Sequence, residues 1–273
     1  MASAPIAYVM GRTDRERRRL LLQASILNPL TERFLLQAGI RPGMRVLDLG
    51  CGIGDLALIA ARLTGPGGSV VGVDVDDQAL EMAESRAAED GFRNVSFSCA
   101  DILAYSPQET FDAVIARHVL LHSHDPLAVV RKAASLVRQG GFAAFQEYDL
   151  SFWPPSYPEV LLASNLQWAM VELFRISTPH ANIGMRLGWL LQMAGLGDPT
   201  AVAKCLMDGR ADSPFYEWLA ETVRSVLPSM EKLGLAPIAG DVETLAQRLR
   251  EQITDFGSCM TTPLIVSAWA CKV

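Results

Sequence analysis

Gly50, Gly52 and Gly54 stand at alternate positions directly after an apolar run, Val46-Leu47-Asp48-Leu49. Such a run ending in alternate glycines reads as a buried strand entering a tight turn. The stretch that follows, Asp55-Leu-Ala-Leu-Ile-Ala-Ala-Arg-Leu, has helix composition. Glycine lets the backbone approach a ligand with no Cβ in the way. The first turn of a helix offers N–H groups without partners. Strand, glycine turn and helix, in that order, make a cradle for a polar small molecule.

Two ligand classes use such a turn, and a turn that binds nothing is the third reading. A dinucleotide site calls for G-x-G-x-x-G, with the last glycine for close helix–strand packing. Asp55 occupies that place here and would repel a pyrophosphate. Asp48 and Asp55 bracket the turn and suit a cation, and S-adenosylmethionine carries both a sulfonium and an ammonium. Asp74 closes a second apolar run, Val70-Val71-Gly72-Val73, twenty residues after Gly54, with Val75 beside it. A carboxylate at the end of the second strand can accept ribose hydroxyls. That supports a nucleoside without choosing between the two cofactors.

The run VLDLGCGIG, taken with Asp74, resembles motif I of the class I S-adenosylmethionine-dependent methyltransferases. The likeness is greatest to the small-molecule branch that includes the ubiquinone and menaquinone biosynthesis methyltransferases, and it covers about residues 40–150. It implies an α/β fold: a Rossmann-like seven-stranded sheet, a helical N-terminal segment and helical lid insertions. It implies S-adenosylmethionine as cofactor and S-adenosylhomocysteine as product. Asp101, after the third strand, would meet the adenine amino group, and Ile102 would pack on the ring. Arg117 and His118, with Val119, would border the methionine part. Helices ahead of the first strand cover the cofactor in this fold, which makes Tyr8, Arg19 and Gln23 candidate contacts. The family usually places a basic residue and proline before the glycines at 140 and 141, whereas Arg138-Gln139 stands there in this chain.

Methyl transfer is an in-line displacement, so the enzyme must position a nucleophile and exclude water. An oxygen or nitrogen acceptor also wants a general base. The candidates are His122, beyond the fourth strand, and Glu147 and Asp149 at the end of the fifth, which strand alternation puts on one face. Capping or packing competes as the role of each. Methyl transfer requires no metal in principle. The DNA and RNA amino-methyltransferases of this fold carry an Asp/Asn/Ser-Pro-Pro-aromatic tetrapeptide after the fourth strand, where this chain reads Ala116-Arg117-His118-Val119. The acceptor expected is therefore a small, largely apolar organic molecule, such as a secondary metabolite or quinone precursor. The alternative is a protein of this fold that binds S-adenosylmethionine but catalyses a non-methylating cyclisation or rearrangement.

These residues need a frame. The 273 residues suffice for one α/β domain with elaborations, and the net charge of −6 gives nucleic acid no electrostatic support. The arginines between 12 and 19 are interrupted by Asp14 and Glu16 and read as a solvated helix face. Five cysteines, an odd number without C-x-x-C spacing, point to a reducing compartment. With no basic-then-apolar leader and no apolar run of roughly 20 residues, the expectation is a cytoplasmic protein off the membrane. A single domain, 1–273, is expected in four parts: an N-terminal helical cover (1–40), a cofactor-binding core (41–150), a helical lid (151–198) and the last two strands (199–273). A helical insertion, 208–260, separates those strands, and the family resemblance implies that they form an antiparallel pair. In the cover, Pro29 should end or kink one helix and Thr31 cap the next. In the lid, Trp153, Trp168, Met170, Phe174 and Trp189 suggest either an apolar pocket wall or core packing. The cover or the insertion could mediate a homodimer.

Overall fold

The computed structural model describes residues 14–273. Helix α1 (Asp14–Ala38) leads into an alternating series: β1 (Arg45–Leu49), α2 (Asp55–Thr64), β2 (Ser69–Asp74), α3 (Asp77–Glu89), β3 (Val95–Cys99), β4 (Phe111–Arg117), α4 (Pro126–Leu136) and β5 (Val137–Asp149). Two helices follow, α5 (Leu161–Ser177) and α6 (Ile183–Met193), then β6 (Thr200–Lys204) and the short β7 (Met207–Asp208). The chain ends with α7 (Phe215–Lys232), α8 (Leu245–Asp255), β8 (Met260–Thr261) and β9 (Leu264–Cys271). The seven-stranded sheet has the order β3-β2-β1-β4-β5-β9-β6, and β7 pairs with β8 in a separate antiparallel ribbon.

Strand β1 lies in the sheet interior, parallel to both β2 and β4. Parallel strands covered on both faces read as continuous apolar runs. That is why Val46, Leu47 and Leu49 could be recognised as strand: all three are fully buried. Helix α2 reaches the same core through Leu56, Ala57, Ile59, Ala60 and Ala61, together with Phe34 and Leu35 of α1 and Phe142 of β5. Alanines on α2 let its backbone sit close to the strands, which fixes where its N-terminus points. Reciprocal bonds, Gly140 N–H to Lys272 O and Lys272 N–H to Gly141 O, tie the start of β5 to the end of β9. The two strands therefore run antiparallel.

Several boundaries differ from the sequence reading. Helix α1 runs unbroken through Pro29. Thr31 caps nothing: it is buried, accepts from Arg117 Nη1 (3.1 Å) and donates to Gln146 Oε1 (2.6 Å). These tertiary bonds hold the second half of the helix in place, although proline removes one i→i−4 bond. Strand β5 begins at Val137 and absorbs Gly140 and Gly141, with a register shift opposite Phe111/Ala113. The predicted sixth strand splits, because β7 leaves the sheet to pair with β8.

Contacts divide the described residues into two compact units: 14–27, 148–183 and 203–265 in one, 28–147, 184–202 and 266–273 in the other. The segment expected to act as one lid, 151–198, is thus shared between them. The second unit carries the glycine turn. The first has its own aromatic centre, where Trp218 neighbours Tyr148, Trp153 and Phe215 with ring centroids 6.4, 6.0 and 6.3 Å away. Of the arginine cluster, Arg18 is exposed, but Arg19 is buried and donates to Gln23 Oε1 at 2.9 Å.

Candidate cofactor and active site

Gly50, Gly52 and Gly54 all have positive φ, at 68°, 52° and 83°, a region that other residues enter at a cost. Each has a different spatial reason. A Cβ on Gly50 would lie 2.6 Å from Val119 Cγ2, and one on Gly54 would lie 2.9 Å from Ala83 Cβ of α3. Around Gly52 nothing comes within 4 Å of that position. Two glycines thus permit packing, and the middle one faces open space. Gly50 and Cys51 donate to Val73 O, which folds the turn over the end of β2.

Asp74 is the pivot of that fold. Its Oδ2 accepts from Gly52 N at 2.8 Å and its Oδ1 from Asp76 N at 3.0 Å. Each oxygen keeps a lone pair, so the carboxylate is already oriented when further donors arrive. Val75 beside it is exposed. Asp101, after β3, is also exposed, and its Oδ1 accepts from Leu103 N (2.8 Å) and Ala104 N (3.0 Å). It builds its own turn and leaves Oδ2 over. Ile102 is half-buried.

Asp48 and Asp55 part company. Asp55 is buried between two guanidinium groups, Arg86 Nη2 at 2.7 Å and Arg117 Nη2 at 3.5 Å. Its charge is met inside the protein, so it does not offer itself to a ligand cation as the sequence suggested. Arg117 is likewise engaged: it also donates to Asn28 Oδ1 (3.0 Å) and Thr31 Oγ1 (3.1 Å). From Thr31 the chain of bonds continues to Gln146 Oε1, and Gln146 Nε2 donates to Ser267 Oγ at 2.9 Å. This polar seam links α2, β4, α1, β5 and β9. Asp48, by contrast, is 1% exposed, and neither of its oxygens has a hydrogen-bond partner among the described residues. Burial raises its carboxyl well above the usual range, with the nearby Arg117 charge working the other way.

A methyltransferase-domain family model matches residues 40–193 of this chain. A ubiquinone biosynthesis O-methyltransferase of Vibrio cholerae is 37% identical over 70% of this chain and 74% of its own length. The chain belongs to the class I S-adenosylmethionine-dependent methyltransferases. A second ubiquinone biosynthesis O-methyltransferase, from Albidiferax ferrireducens, is 35% identical over 46% of this chain, and the chain spans about half (49%) of that relative's length. A solved S-adenosylmethionine-dependent methyltransferase from Aquifex aeolicus shares the fold at 19% identity and a TM-score of 0.52, covering 68% of this chain and 90% of that one.

The methyltransferase site fits a cationic nucleoside cofactor on three counts. Asp48 is an orphaned buried carboxyl, Gly52 faces unfilled space, and Asp74 is held ready with lone pairs to spare. The remaining candidates are dispersed. His118, at the end of β4, is the one residue other than glycine with positive φ (57°) among those described, and its N–H donates to Gln146 O at 2.9 Å. His122 ends the short 3-10 turn Leu120–His122 and is half-buried. Glu147 is fully buried, with Oε1 accepting from Val119 N and Leu120 N, each at 2.8 Å. Burial pushes its carboxyl up to about 7. Asp149 is buried in the first unit and accepts from Ser151 N (3.2 Å) and Ser151 Oγ. Gln23 is buried in that same unit, and Tyr8 lies outside the described residues. Among the described residues no group of three His, Cys, Asp or Glu could hold a metal, and no helix is long and apolar enough to cross a membrane. The sequence reading gave Thr31 a capping role and missed Gln146, Ser267 and Arg86. Nothing local marks these roles, because they arise only where distant elements meet.

Proposed function

We propose that the chain binds S-adenosylmethionine at the glycine turn and transfers its methyl group to an oxygen of a small, largely apolar organic acceptor. The observation that carries this reading is the buried, unpartnered Asp48 carboxyl behind an open Gly52. Bound there, the cofactor supplies an electrophilic methyl on a positively charged sulfur. The chain's part is to hold it. Asp74 receives the ribose hydroxyls, Asp101 and Ile102 receive the adenine, and Asp48 answers the positive charge of the amino-acid part. The relatives' designation as O-methyltransferases supports oxygen as the atom methylated.

His122 is the residue we assign as general base. Glu147 and Asp149 are buried, each with one carboxylate oxygen committed to neighbouring N–H groups, whereas His122 is half-buried and an imidazole can take up a proton near neutral pH. Five free thiols support a cytoplasmic setting. The exposed Met185, Trp189 and Met193 on one face of α6 support a homodimer, which light scattering tests.

Calorimetric titration with S-adenosylmethionine and S-adenosylhomocysteine tests the cofactor. Micromolar binding that weakens at least about tenfold in Asp48→Asn is expected. Equal binding by wild type and variant refutes the role given to Asp48. Mass spectrometry of candidate phenols incubated with cofactor tests the chemistry: a mass gain of one methyl with release of S-adenosylhomocysteine is expected, and His122→Ala should slow it by about a hundredfold or more. Turnover of acceptor without consumption of cofactor would support a non-methylating reaction instead.

A further inference from the structure

The loop that follows β4 forms one wall of the glycine turn, and a buried carboxylate supports its conformation. His118 opens it in a left-handed conformation, which a residue with a Cβ adopts only when its surroundings enforce it. Val119 comes next, and its Cγ2 occupies the space that a side chain on Gly50 would take, at 2.6 Å from that Cβ position. The N–H groups of Val119 and Leu120 then point to one atom, Glu147 Oε1, at 2.8 Å each. Glu147 is fully buried, and its other oxygen, Oε2, has no hydrogen-bond partner. A buried carboxyl is costly, and the peptide groups of Val119, Leu120 and Leu121, all in this loop, are what steady this one.

We infer that Glu147 is a positioning residue for the cofactor site: through the N–H groups of Val119 and Leu120 it sets Val119 against Gly50 and so holds the turn in its binding shape. The inference rests on the cofactor reading above. It assigns Glu147 a place beneath the site rather than in it. A carboxylate is needed only for an acceptor oxygen at that point, which an amide oxygen also provides. A general base would need the carboxylate itself.

Binding of S-adenosylhomocysteine to the whole chain, measured by calorimetry, separates these roles without any acceptor. Glu147→Gln keeps an oxygen for both N–H groups and should bind within about threefold of wild type. Glu147→Leu leaves both N–H groups unmet and should bind about tenfold or more weakly. Val119→Ala removes the side chain through which the effect passes and should also weaken binding, about tenfold. The double variant Glu147→Leu/Val119→Ala should be no more than about threefold worse than the weaker single variant, because the two act through one contact. A support of the fold in general would leave affinity in the folded variants unchanged, or give losses that multiply. The inference is overturned if Glu147→Leu binds as wild type, if Glu147→Gln is as weak as Glu147→Leu, or if the losses multiply. Should Glu147→Leu not fold, undiminished binding by Val119→Ala, or loss of binding in a folded Glu147→Gln, overturns it equally. Wild type that binds neither S-adenosylmethionine nor S-adenosylhomocysteine overturns the cofactor reading and this inference with it. Tight wild-type binding that Glu147→Leu leaves intact overturns the inference alone.

Discussion

Asp48 and Asp55 stand at the two ends of one glycine turn and are both buried, yet they live in opposite circumstances. Asp55 has two arginines and belongs to a seam of satisfied polar groups that crosses five elements. The carboxylate oxygens of Asp48 have no hydrogen-bond partner among the described residues. A buried charge that is paired serves the fold, and a buried acid that is not paired costs the fold something. The difference separates what the turn needs in order to exist from what it keeps in reserve for a ligand.

The largest expected effect comes from breaking the paired end. Asp55→Asn leaves the Arg117 guanidinium buried without its counter-charge and should destabilise the chain by about 3–5 kcal/mol, read as a lower urea midpoint. A change below about 1 kcal/mol would show that the seam is not held by this pair. The second effect concerns the unpaired kind. Glu147 has its carboxyl raised from 4.5 to about 7 by burial. The unfolded chain therefore loses this proton first, and the folded state grows less stable as pH rises from about 4.5 to about 7. The span is worth about 3 kcal/mol. Urea midpoints across that range should fall less steeply for Glu147→Gln than for wild type, and parallel curves would remove Glu147 as the source. The smallest effect on stability is at Gly52, where added bulk meets only open space. Gly52→Ala should cost about 1–2 kcal/mol for its left-handed backbone, while cofactor affinity falls about tenfold or more. A stable Gly52→Ala that binds as wild type would sink the idea that the open side of the turn is the ligand's side.

The parts of the fold that could be read from the chain are those made by local pattern. Val46, Leu47 and Leu49 are apolar because the strand is covered on both faces, and alternate glycines can follow such a strand only as a turn. The alternation that placed Glu147 and Asp149 on one face of a strand is equally local. The parts that could not be read depend on distant partners. Asp55 reads as a ligand residue until Arg86 and Arg117, thirty-one and sixty-two positions away, arrive beside it. Pro29 reads as a helix break, but the bonds of Thr31 to Arg117 and Gln146 override it. A glutamate near a strand end reads as a base, and only the direction of two peptide N–H groups shows what its oxygen is holding.

The place of β9 has a consequence for how the molecule is made. It lies between β5 and β6, although β6 precedes it in the chain by more than fifty residues. Until residues 264–271 leave the ribosome, β5 presents a bare edge to solvent and β6 has no strand to join. A stalled nascent chain at that stage would hold an assembled parallel half-sheet beside an apolar, unzipped flank, the kind of surface that chaperones bind and that self-association exploits.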